Sequence, residues 1–189
     1  MPRLLIGRFV LVLSLAALMG GMSACTFQSV KPELNLVPPE KYTTFVLGEI
    51  KGEIKVEDTT WEALQPHFRK GVVQWLNEKK GFETVLETPP ATPVGSAITL
   101  SGTITEVDKG SVALRALIGM GAGQAKVKGV FEIKDSSGKT LAKFAGRESF
   151  LGGLGIGGWH FVTTEDLMKR FGETVAETTL KWSRGEPID

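Results

Sequence analysis

Cys25 is the only cysteine among 189 residues, and it closes the run Met22-Ser23-Ala24-Cys25. An apolar residue, two small residues and a cysteine resemble the lipobox of bacterial lipoproteins, in which the small residues let a peptidase grip extended backbone beside the scissile bond. By analogy with such proteins, the Cys25 thiol takes a diacylglyceryl group and the freed amine an acyl chain. Burial is worth about 0.8 kcal/mol per methylene, so two or three chains anchor stably where one binds marginally. The bland alternative is a buried, inert thiol, because a lone cysteine has no intramolecular disulfide partner.

The other residues with chemical capacity form no catalytic constellation. His67 and His160 have no second histidine at metal-ligand spacing, and the one cysteine lies far from both; a metal site needs three or four such donors. Ser111 and Ser149 lack the Gly-x-Ser-x-Gly context of an activated nucleophile. The acidic pairs Glu57-Asp58 and Glu165-Asp166 fall where helices should start, so capping explains them. Gly119-Met120-Gly121-Ala122-Gly123 superficially matches a dinucleotide loop, but the residues after it alternate like a strand where phosphate binding needs a helix N-terminus. A tight turn or bulge accounts for these glycines. Arg115 is placed to pair with Glu106 or Asp108. No cofactor, metal or enzymatic activity is expected.

A second run, Phe150 to Phe161, is apolar and rich in glycine at once, with Gly152, Gly153, Gly155, Gly157 and Gly158. It reads either as a buried connection or as a surface for docking, oligomerisation or membrane contact. Leu117, Ile118, Met120, Leu151, Leu154, Ile156 and Trp159 are the candidate partner-binding residues of the two runs, which we expect at one end of the sheet.

Arg3 and Arg8 precede eleven mostly apolar residues, Phe9 to Met19, as in a signal peptide. The sixteen uncharged residues from Phe9 to Ala24 fall short of the roughly 20 a bilayer-spanning helix needs. Removing residues 1–24 leaves 165, with 20 basic residues against 21 acidic ones. That balance offers no electrostatic case for nucleic acid, and Lys126 and Lys128 read as a solvated strand face. Residues 25–42, with Pro32, Pro38 and Pro39, read as a lipidated tether; 43–182 as one domain; 183–189 as a C-terminal tail.

Within that domain, residues 43–50 read as a strand. Trp61, Leu64, Phe68, Val72, Trp75 and Leu76 recur at helical spacing after a cap at Asp58, Thr59 or Thr60, with Gly81 available for the C-terminal turn. Pro66 either kinks this helix or delays its regular part to about Gln65. Residues 82–87, 97–107, 125–134 and 139–150 read as further strands, with a hairpin turn at Asp135-Ser136-Ser137-Gly138. Leu167, Phe171, Val175, Thr178 and Trp182 mark a last helix capped at Thr163 or Thr164. The expected fold is α+β, order β-α-β-β-β-β-α, with two long amphipathic helices on a mostly antiparallel sheet and both Trp75 and Phe171 buried at the junction.

Gly102-Thr103-Ile104-Thr105-Glu106, Arg115 before Gly119 to Gly123, and Val130 to Asp135 with Gly138-Lys139 together resemble a bacterial lipoprotein family, domain of unknown function 4410. The resemblance covers roughly Thr43 to Leu180. It implies an α+β domain broadly similar to the N-terminal domains of envelope-assembly proteins, and no known chemistry. The expectation is a lipid-anchored accessory protein that binds an envelope component or itself. Thr26 after the cysteine matches an outer-membrane address, with the domain facing the periplasm. The competing expectation is an oligomeric outer-membrane assembly or secretion component.

Overall fold

The computed structural model describes residues 26–36, 38, 41–52, 54–56, 59–110, 124–150 and 163–188. Its strands are β1 (Thr26–Asn35), β2 (Thr44–Gly52), β3 (Lys55–Val56), β4 (Thr59–Thr60), β5 (Thr84–Leu86), β6 (Ala97–Asp108), β7 (Ala125–Asp135) and β8 (Thr140–Phe150). Its helices are α1 (Trp61–Glu78) and α2 (Thr164–Ser183). Six strands form one sheet in the order β1-β8-β7-β6-β2-β5, and β3 and β4 form a separate ribbon. The class is α+β, and the predicted order survives as β2-α1-β5-β6-β7-β8-α2.

The sheet is mixed, which corrects the expectation of a mostly antiparallel one. β1, β8, β7 and β6 pair antiparallel, but β2 runs parallel to both β5 and β6. The cause is the crossover: α1 carries the chain back to the end where β2 began, so the next strand must run the same way. The loop between β5 and β6 repeats that return. Apolar periodicity specifies element type and is silent about direction of travel.

The tether reading also needs correction. Residues Thr26–Asn35 are an edge strand paired along β8, from Thr26 opposite Phe150 to Asn35 opposite Ala142. Alternation in this segment is poor because an edge strand needs little apolar character. Pro32, which cannot donate to a ladder, sits at the register shift between Pro32 and Leu34. Beyond β1 the chain stays attached: the Trp182 indole N–H donates to the Leu36 carbonyl at 3.0 Å, and Tyr42 stacks on Trp182 with centroids 6.0 Å apart.

In α1 the helical stripe buries Trp61, Leu64, Phe68, Val72 and Leu76. Helix runs unbroken from Trp61 through the exposed Pro66, so its regular part does not wait for Gln65. Trp75 is only half-buried, at the rim of the stripe with the Lys79 ammonium 5.9 Å from its ring, which corrects its expected burial.

The end of α1 is a Schellman turn, Gly81 N–H donating to Leu76 O at 2.9 Å and Lys80 N–H to Asn77 O at 3.2 Å. The left-handed residue is Lys80, at φ 49°, and not Gly81. Gly81 is instead closely packed, since a Cβ there would lie 3.1 Å from Leu180 Cδ1 and 3.3 Å from Leu76 Cδ2, and those side chains would have to shift by a few tenths of an ångström. Left-handed backbone costs an L-residue about 1 kcal/mol or more. Lys80→Gly should therefore raise unfolding stability by about 1 kcal/mol in urea titration. An unchanged midpoint would mean Lys80 is not strained there.

α2 starts as its sequence dictates. Asp166 N–H donates to Thr163 Oγ1 at 3.1 Å while Thr163 N–H reaches Asp166 Oδ2 at 3.4 Å, a capping box. Leu167, Phe171, Val175, Thr178 and Trp182 are all buried. The two helices lie side by side on one face of the sheet, where Phe68, Phe131, Phe144 and Phe171 meet.

Candidate interaction surface

The sheet register brings three strand ends into one row. Ala125, the first residue of β7, faces Phe150, the last of β8, and Phe150 faces Thr26, the first of β1. The end of β6 adjoins them, with Asp108 opposite Lys126. There the chain turns at Gly110, whose φ of 69° suits glycine and whose N–H donates to Asp108 Oδ1 at 2.8 Å. Segments 111–123 and 151–162 therefore leave the sheet from neighbouring strand ends. Leu117, Ile118, Met120, Leu151, Leu154, Ile156 and Trp159 lie within those segments, outside the described residues, as do Cys25, Ser111, Arg115 and His160.

The face of the sheet opposite the helices carries the alternate, polar residues of β6, β7 and β8. Lys126 and Lys128 share this face, as their spacing predicts, and both bind Glu106, at 2.7 and 2.6 Å. Lys126 also lies 3.8 Å from Asp108. Higher up, Glu132 takes Lys143 from the facing strand at 2.5 Å and Lys134 at 3.1 Å. Hydrogen bonds from Lys126 and then Lys128 hold the Glu106 carboxyl below its ordinary pKa, and Lys143 then Lys134 do the same for Glu132. Glu106 in turn raises the Lys126 ammonium.

A carboxyl with a lowered folded pKa contributes stability above its unfolded pKa, and that contribution fades as pH falls through the folded value. Below the ordinary glutamate range near 4.3, the parent should thus lose stability more steeply than a Glu106→Gln/Glu132→Gln variant. Both groups are solvent-accessible, so the difference should stay at about 1 kcal/mol or less per site. Thermal midpoints from pH 7 to 3 check this, and parallel curves for the two proteins would remove these pairs from the stability account.

The remaining polar groups weighed for chemistry are placed structurally. Glu148 is fully buried on β8 and accepts from Thr174 Oγ1 of α2 at 2.9 Å, which ties the helix to the sheet. Ser149 is buried in the same strand. Asp166 serves the helix cap, and Glu57 and Asp58 lie outside the described residues. His67 is half-buried on α1, and no three metal-capable side chains gather among the described residues.

A family model described as domain of unknown function (DUF4410) matches residues 49–153, more than half the chain. The chain belongs to this family. The DUF4410 match runs from within β2 to just past β8, so it takes in α1, the β6-β7-β8 meander, the whole first glycine-rich segment and the start of the second. It is narrower than the resemblance read from sequence, leaving the start of β2 and the whole of α2 outside. No curated protein matches the sequence. Among solved structures, the PelC dodecamer from Paraburkholderia phytofirmans is similar at 12% identity and a TM-score of 0.49, over 85% of this chain and 99% of that one. A protein from Helicobacter pylori, described only as a homolog of neuraminyllactose-binding hemagglutinin, is similar at 13% identity and a TM-score of 0.38, over 82% and 95%. Likenesses at this level carry no argument about what the chain does.

Proposed function

We propose that this DUF4410 protein is a lipid-anchored accessory lipoprotein of the bacterial envelope, outer-membrane and periplasm-facing, that binds another envelope component or itself and catalyses no reaction. The observation that carries this reading is Met22-Ser23-Ala24-Cys25 at the end of a basic and then apolar segment, holding the one cysteine of the chain. The position of β1 fits, because this strand begins at Thr26, the residue after the proposed anchor. A Cys25→Ser chain expressed in bacteria should incorporate no labelled palmitate and should accumulate as unprocessed precursor. Palmitate incorporation into that variant would refute the assignment.

A second reading, an oligomeric outer-membrane assembly or secretion component, draws support from the adjacent strand ends at which the two glycine-rich segments leave the sheet. Leu154→Asp with Ile156→Asp should then weaken in-cell crosslinking without changing circular dichroism. Crosslinking equal to the parent's, with the fold intact, would remove these residues from partner contact.

A further inference from the structure

We infer that the sheet stands on the membrane surface through the end defined by Thr26, Phe150 and Ala125, with the β7-β8 turn at Ser136-Ser137 pointing away from the lipid. The inference rests on acylation of Cys25 and concerns what that anchor then does to the domain. Cys25 is one residue from Thr26, so its Cα lies within about 4 Å of the first residue of β1. β1 is in turn held in register along β8 from Thr26 to Asn35, and its far end is fixed by the bond from Trp182 to Leu36. There is no slack between lipid and fold. Whatever row of the sheet contains Thr26 must lie at the bilayer surface, and that row contains Phe150 and Ala125.

The chemistry at this end suits lipid headgroups. Lys126 is one residue from the terminal row, and Lys128 and Arg147, paired across the strands, are three residues from it. At about 3.3 Å per residue they stand within roughly 10 Å of the row, inside the reach of long basic side chains to a headgroup layer several ångströms deep. With Lys109 they bring four basic side chains to this end of the sheet, where Lys126 also pairs with Glu106 and Asp108 and Lys128 with Glu106. The occupant of this end is the bilayer that holds the acyl chains.

Because acylation consumes the Cys25 thiol, an introduced cysteine is the sole site for a thiol-reactive fluorophore. The acylated full chain, carrying Lys109→Cys, Val130→Cys or Ser137→Cys, is labelled and reconstituted in phosphatidylethanolamine/phosphatidylglycerol vesicles containing headgroup-spin-labelled lipid. Ten residues of β7 separate Ala125 from Asp135, on the order of 33 Å. Quenching should therefore fall from 109 to 130 to 137, with at least about a threefold difference between the ends. Mass spectrometry of the N-terminal peptide reports acylation separately. An unmodified Cys25 would overturn the anchor and the orientation together. With Cys25 acylated, equal quenching, a reversed gradient, or weak quenching at all three positions would overturn the orientation alone, the last assigning this end to a protein partner or a second copy.

Discussion

Gly172→Ala should destabilise the domain by about 3 kcal/mol, although alanine is the better helix former by about 1 kcal/mol at an open helical site. Gly172 of α2 faces α1 at the point where the helices touch through their backbones. A Cβ there would overlap the Phe68 carbonyl oxygen and sit 3.1 Å from the Val72 nitrogen. Gly71 of α1 is in the reciprocal position, its added Cβ overlapping the Lys169 carbonyl oxygen and lying 2.9 Å from the Lys169 carbonyl carbon. Neither obstacle is a flexible side-chain tip, so relief requires the helices to separate. Separation would pull Phe68 and Phe171 away from the sheet, and overpacking of this kind costs typically 1–3 kcal/mol and sometimes more.

The sign makes the test decisive. Urea unfolding of Gly71→Ala, Gly172→Ala and the double variant should show two losses that do not add, because one separation of the helices relieves both clashes. A gain in stability from either single change would mean the helices do not meet through these two positions.

Phe131→Ala should cost about 3–5 kcal/mol, the range for deleting a large buried aromatic. Phe131 is 1% exposed, with ring centroids 5.9 Å from Phe68, 5.5 Å from Phe144 and 5.7 Å from Phe171. It therefore joins α1, α2 and β8 at one point. Its ring lies over two glycines: a Cβ at Gly102, directly opposite on β6, would meet Phe131 Cε1 at 3.0 Å, and one at Gly129 would meet Cζ at 2.9 Å. The glycines supply the space the aromatic fills, and truncation would leave a cavity that neither can close. Phe171→Ala should lose a similar amount, while Trp75→Ala should lose clearly less because its ring is half-buried. Equal midpoint shifts for Phe131→Ala and Trp75→Ala in urea would contradict a core centred on Phe131.

Both helices could be read from the chain because their information is local. The stripes from Trp61 to Leu76 and from Leu167 to Trp182 repeat at 3.6 residues, and Thr163 meets its capping partner three residues on. The strands from 97 to 150 largely alternate since one face packs on helices and the other meets water, with breaks at Ala97-Ile98 and the Ile104/Glu106 bulge in β6 and near both ends of β8. DUF4410 membership was legible in the ordered pieces of that same meander. Cys25 and the apolar residues of the glycine-rich segments could be nominated by type alone, because acylation and apolar contact depend first on residue chemistry.

Tertiary structure decided the matters that residue type leaves open. The parallel sense of β2 with β5 and β6 follows from where α1 delivers the chain, which no periodicity encodes. β1 was hidden because an edge strand borrows its order from β8, and its hydrogen bonds run to residues more than a hundred positions away. Gly71 and Gly172 look like helix-weakening residues until the two backbones are brought together, when they become the only size that fits. The row Thr26, Phe150, Ala125 exists only in the assembled sheet. Local sequence fixes what a segment prefers to be, whereas direction, pairing and close approach are set by contacts between segments distant in the chain, and those are formed only by folding.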